Sequence, residues 1–210
     1  AKIKYSNISA QDQSVTIKKD IALLTMARVV GKVVHSHCSG LPLQADLEEK
    51  IYKLLFLDVG LMNVICGLDW RSISQMDDIK LINQGAIAEQ FIGQHLQAML
   101  ADQPNRELNY WLREGRSANA ELDFVIGLRG KIIPIEVKSG STGTLKSLHQ
   151  FMGMKQAPLA IRFDTQLPTV NQIDTVINMN KQRQQVKYTL MSLPLYLVEQ
   201  LDAIVGSYQT

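Results

Sequence analysis

Cysteine is scarce in this chain: Cys38 and Cys66 are the only two, and they form no spaced framework. That excludes a disulfide-stapled secreted scaffold and makes a reducing cytoplasm the default compartment. An excess of one charge is also missing. The 22 Lys and Arg nearly cancel the 20 Asp and Glu, and the net +2 is too small to argue for nucleic acid by itself. Long apolar runs are absent as well. The longest, Leu54 to Leu68, is interrupted by Asp58 and is too short to span a bilayer, and no signal peptide is apparent. No membrane partner is therefore expected. No G-x-x-x-x-G-K-[ST] occurs either, because Gly31-Lys32 and Gly130-Lys131 are each followed by an aliphatic residue. This sequence builds no P-loop of its own. There is no internal repeat, and the polar run Gln182 to Gln185 reads as a loop.

What is present is ordinary globular material, 46% apolar and 20% charged. At 210 residues it can bury one good core or two small ones. The chain opens at Ala1 without a methionine and enters ordered-looking sequence at once, which reads as an excised fragment.

The most informative stretch is Glu121-Leu-Asp-Phe-Val-Ile, a short glycine turn, then Lys131-Ile-Ile-Pro-Ile-Glu-Val-Lys. It reads as two strands with a tight connection. Side chains alternate along a strand, so Glu121 and Asp123 share a face, Glu136 and Lys138 share a face, and Ile133, Ile135 and Val137 take the other. Two carboxylates and an amine can then address one small volume, a set suited to a hard divalent cation and a phosphate. The plainer alternative is a solvated face with a Glu136–Lys138 surface pair. Pro134 cannot donate a ladder hydrogen bond, so the strand is expected to be bulged or at an edge there.

A helical pattern covers about Met76 to Leu100. At 3.6 residues per turn, Ile82, Ala86, Ile92, Gly93, Leu96 and Leu100 flank Glu89 within about a quarter turn. Glu89 thus sits in the apolar stripe, with Gly85 and Gly93 expected to leave open space around it. Gln84, Gln90, Gln94 and His95 fall off the stripe. A glutamate aimed at a core needs a partner. Either it is a structural group bonded to a lysine or to backbone amides, or it joins Asp123, Glu136 and Lys138.

The order helix (Glu89), strand near Leu108 to Arg113, strand Glu121 to Ile126, strand Lys131 to Lys138, helix Thr144 to Lys155, strand Leu159 to Phe163 is αβββαβ. With Asp123 followed after 136 − 123 = 13 residues by Glu136-Val-Lys138, it resembles the PD-(D/E)XK nuclease core of restriction enzymes and Holliday-junction resolvases. That resemblance implies Mg²⁺ or Mn²⁺ held by Glu89, Asp123 and Glu136, with Lys138 activating or steadying the attacking water. Gln150, one turn after Lys146, is expected to point toward that site.

The phrases KIYKLLFLDVGLMNVICGL, GAIAEQFIGQHL, YWLREGRSANAELDFVI, KIIPIEVKSGSTGTLKSLHQF and YTLMSLPLYL resemble a family of unknown function, C-terminal to the ATPase core in predicted AAA+ ATPases of bacteria and archaea. The resemblance covers nearly the whole chain. It implies that the partner is the ATPase core of the same polypeptide, that ATP binds only in that missing N-terminal part, and that DNA and a second copy of the chain are further candidate partners. It implies no assigned reaction.

The front of the chain, 1–70, reads as a partial winged-helix-like segment ahead of a nuclease-like α/β domain at 71–210. Thr16 to Arg28 is its helix, Val29 to Ser36 and Ile51 to Leu57 its hairpin, Ser36 to Glu49 the wing. Such a module binds DNA or serves packing and oligomerisation. Arg113, Arg116, Arg129, Lys131, Lys138 and Lys146 gather near the site in sequence. Asp58 reads as a helix N-cap, Cys66 as a buried helical residue, and Trp111 as half-buried. His35-x-His37-Cys38 suggests zinc but lacks a second pair, so a strand-end or loop role is the simpler reading. Three functions follow: a metal-dependent nuclease-like domain, a non-catalytic module serving the ATPase, or a winged-helix DNA-binding module with an inert α/β tail.

Overall fold

The computed structural model describes residue 8 and residues 12–67, 84–100, 108–113, 119–139, 144–179 and 182–208. Helix α1 (Ser14–Met26) leads into a hairpin of β1 (Val30–Ser36) and β2 (Leu47–Phe56). Next come α2 (Val59–Ile65), α3 (Gln84–Leu100), β3 (Leu108–Arg113), β4 (Ala120–Leu128), β5 (Lys131–Val137), α4 (Lys146–Lys155) and β6 (Leu159–Asp164). The chain closes with β7 (Thr169–Met179), β8 (Gln182–Pro194), a 3-10 segment (Leu195–Gln200) and α5 (Leu201–Ser207). Among the described residues this is a mixed α/β fold, five α-helices around one eight-stranded sheet of order β2-β1-β3-β4-β5-β6-β8-β7. The expected αβββαβ order is present from Gln84 onward. Its first residues, 76–83, lie outside the described residues, as do Arg116 and residues 68–75.

The β4–β5 connection is the two-residue turn Arg129-Gly130, with φ of 49° and 74°. Positive φ at both positions suits the twist of a tight hairpin. Arg129 has a Cβ and is costly there. Its guanidinium is gripped by Asp202 of α5, at 2.9 Å through Nε and 2.7 Å through Nη2.

Pro134 corrects the expectation of an edge or a bulge. β5 is an interior strand, and Pro134 faces Val125 in unbroken register with β4. Backbone N–H groups alternate sides along a strand. The Val137 N–H turns to β4 and the Lys138 N–H to Phe163 of β6. The Pro134 nitrogen therefore faces β6, whose pairing begins only at Ile135. No ladder bond is lost.

The hairpin expected to end a winged helix extends the main sheet instead. β1 pairs in parallel with β3, from Val33 opposite Leu108 to His35 opposite Tyr110. The segments read as 1–70 and 71–210 thus share one sheet. The run Gln182 to Gln185 is the start of β8, not a loop. It pairs with β7 out to Met179, and just beyond it Val186 is buried between exposed Gln185 and Lys187.

Helices cover both faces. On one face Ile92 and Leu96 of α3 and Leu201 and Val205 of α5 cluster with Phe124, Ile133, Ile135 and Phe163 of the sheet. On the other face Leu148 and Phe151 of α4 cluster with Trp111, Leu122, Val125 and Tyr188 of the sheet. Trp111 is fully buried rather than half-buried, stacked edge-on to Phe151. Cys66 is exposed, because the short α2 ends there and buries none of its residues. Asp58 caps α2 as expected, its carboxylate accepting the Leu61 N–H at 2.8 Å.

Gly93 has no open space. A Cβ there would stand 2.5 Å from Leu55 Cδ1 and 2.8 Å from Phe124 Cζ, both on buried side chains. Gly93→Ala is expected to destabilise the fold by about 1–3 kcal/mol, read as a lower urea midpoint. An unchanged midpoint would contradict this close packing of α3 on the sheet.

Candidate functional site

The strands carrying Asp123 and Glu136 are shaped by a bulge. On β3 the partners advance two residues, Asn109 to Trp111, while on β4 they advance three, Val125 to Leu122. Leu122 and Val125 both pack on the α4 side. The extra residue lets Asp123 and Phe124 both turn to the α3 side, the kind of re-aiming a bulge provides. β4–β5 pairing stops at Phe124 opposite Ile135. Past that point the Asp123 carboxylate stands in for the ladder, its Oδ2 accepting the Val137 N–H at 2.7 Å.

Ile133, Ile135 and Val137 pack under α3. By alternation Glu136 and Lys138 leave β5 on the other face, toward α4. Glu136 is buried, and Lys138 Nζ donates to its Oε1 at 2.5 Å. The second oxygen, Oε2, is buried with no hydrogen-bond partner among the described residues. The two candidate glutamates thus approach from opposite faces, with Asp123 in the opening between them.

Glu89 meets a lysine. Lys53 of β2, 5% exposed, donates to Glu89 Oε1 at 2.6 Å and to the Asp123 backbone carbonyl at 3.0 Å. It also lies 3.5 Å from Glu121 Oε1 and over the Tyr110 and Phe124 rings, at 4.8 and 5.3 Å. One of the two readings of Glu89, a group bonded to a lysine, is therefore realised. Gln90 is buried rather than off the packed face, and its amide bonds both backbone groups of Phe56, at 2.8 and 3.0 Å. Together these contacts pin α3 to β2.

The charges act on one another. Burial, then the repulsion of Glu136 and Glu89, pushes the Asp123 carboxyl up to about 7, against the pull of Lys53 and the Val137 N–H. Burial also raises Glu136; Lys138 opposes the rise and Glu89 adds to it. Burial disfavours the Lys53 ammonium, but Glu89, Asp123 and Glu121 outweigh that and hold it above its ordinary value. Gln150 of α4 is part-buried, its Oε1 without a partner among the described residues. The basic cluster expected near the site is spread: Arg129 is held by Asp202 across the β4–β5 turn, and Lys146 is exposed on α4.

Lys53 joins the site from outside the carboxylate and Glu-x-Lys motifs. It is the one charge within Ile51-Tyr-Lys-Leu-Leu-Phe, and a lone cation inside an apolar strand is itself a signal that a buried anion is near.

The site is thus an acidic cluster at the parting ends of two strands in a mixed α/β domain, with one buried lysine and one Glu-x-Lys. The chain belongs to the family described as domain of unknown function (DUF4143), whose model matches residues 84–196, more than half its length. That span holds Glu89, Asp123, Glu136 and Lys138 but not Lys53. No curated protein matches the chain. No helix among the described residues is long and apolar enough to cross a membrane.

Proposed function

We propose that this chain is a PD-(D/E)XK-like, metal-dependent nuclease or DNA-binding domain that serves an AAA+ ATPase core of the same polypeptide. The observation that carries the reading is the buried Glu136 Oε2, without a hydrogen-bond partner among the described residues, beside an Asp123 pushed up first by burial and then by its carboxylate neighbours. Buried carboxylates that repel one another are a site for a cation. The strand arrangement agrees: β3, β4 and β5 are antiparallel neighbours and β6 follows β5 in parallel.

Asp123 and Glu136 would hold Mg²⁺ or Mn²⁺, with Glu89 contributing only as far as Lys53 releases it. Such an ion polarises a phosphate and lowers the pKa of a bound water. Lys138 would steady charge building on the phosphate oxygens. The net charge of +2 gives little non-specific hold on DNA, so the ATPase part is expected to supply it.

Lys53 favours a second reading, a non-catalytic module. Its ammonium already neutralises Glu89 and faces Asp123, the task a metal would otherwise perform.

Calorimetry with Mn²⁺ should show binding that Asp123→Asn and Glu136→Gln abolish. Cutting of branched, single-stranded and duplex DNA, with the ATPase core and ATP present, should fall by roughly 10²–10³ in Lys138→Ala. Neither Mn²⁺ binding nor cutting by any form would decide for the non-catalytic module.

A further inference from the structure

We propose that His35, His37 and Glu48 form a binding site for a zinc-like divalent transition-metal ion at the break in the β1–β2 hairpin, separate from the carboxylates of β4 and β5. The backbone builds the site. Val34 faces Tyr52, but the next residue, His35, faces Glu48, so β2 advances four residues while β1 advances one. That irregularity carries Glu48 directly opposite His35, and directly opposed residues share a face. His37, two residues on, shares it by alternation. The His37 N–H bonds the Asp46 carbonyl at 3.0 Å, which fixes the strand beyond the break.

One ligand atom from each of the three residues lies within 4.8 Å of the other two. The rings of His35 and His37 meet edge to face at 4.8 Å, and His37 Nε2 is 3.8 Å from Glu48 Oε2. Tetrahedral zinc needs ligand atoms about 3.4 Å apart. His37 and Glu48 are 54% and 45% exposed and free to close that difference. His35 is buried, and β3 fixes its ring from behind, the Leu112 N–H donating to Nδ1 at 3.3 Å.

Cys38 is not part of the set. Its thiol contacts the Ser36 carbonyl at 3.4 Å, and burial pushes it up to about 11. Two imidazoles and one carboxylate, with a fourth position open to water, favour zinc over magnesium or calcium.

The test is titration of the chain, freed of metal by chelation, with Zn²⁺ by calorimetry and with Co²⁺ by visible absorption. The expected result is one ion per chain and the intense ligand-field bands of low-coordinate Co²⁺. His37→Ala and Glu48→Gln, both at exposed positions, should lose both signals, while Asp123→Asn should keep them. Absence of binding by the unaltered chain overturns the site. So does binding that survives in the His37→Ala/Glu48→Gln double variant or that Asp123→Asn removes, since the ion would then sit elsewhere.

Discussion

Lys53→Met is expected to lower stability by about 3–5 kcal/mol at pH 8, because it leaves buried carboxylates without their cation. Lys53 bonds Glu89 and the Asp123 carbonyl and neighbours Glu121, and it is itself buried. Methionine replaces the stem but not the ammonium. The loss should shrink as pH falls, because protonating Asp123 removes a charge that Lys53 otherwise balances. Adding Glu89→Gln should recover part of the loss, since the variant then buries one charge fewer. Urea unfolding at pH 8 and pH 5 reads both effects. A single variant as stable as the parent at pH 8 would remove Lys53 from this role.

Asp123→Asn should act in the opposite direction. The Asp123 carboxyl stands at about 7 in the fold against an ordinary 3.8. A group raised by folding contributes its full stability below the unfolded value and loses it as pH rises through the folded one. The parent should therefore weaken from about pH 4 to pH 7 and level off above. Asparagine keeps an oxygen for the Val137 N–H and carries no charge to bury. At pH 8 it should be more stable than the parent by about 2–4 kcal/mol, since the net shift already contains the attraction to Lys53; near pH 4 the difference should vanish. Thermal unfolding across that range tests it, and a variant less stable than the parent at pH 8 would refute it. Stability gained where a proposed ligand is removed is the familiar exchange at functional sites.

The central elements were legible because their patterns are strong. Leu108–Arg113 is a strand as read, and β4, β5, α4 and β6 begin or end within two residues of expectation. The N-cap at Asp58 was legible for the same reason, a polar residue just ahead of an apolar run. What failed is instructive. Trp111 and its neighbours are covered on both faces, so no alternation marks how deep they lie. Gln182 to Gln185 is polar because that end of β8 is largely solvent-facing, and composition alone reads solvent-facing strand as loop. The bulge in β4 and the break in β2 leave no periodic trace, yet they aim Asp123 and Glu48. Lys53 acts at a distance of 36 residues from Glu89, which no local pattern reports.

The parallel pairing of β1 with β3 bears on where this molecule can be divided. A piece cut at residues 84 and 196 would keep Glu89, Asp123, Glu136 and Lys138 but lose β1, β2 and α5. β3 would become a raw sheet edge, open to pairing with other chains. Glu89 would lose its lysine, and Val198, Leu201 and Val205 would be stripped from the core under α3. The smallest autonomous unit is thus larger than the recognisable one. The front hairpin works as a brace that belongs to the acidic cluster, and any shortened version meant to be soluble and monomeric must carry it.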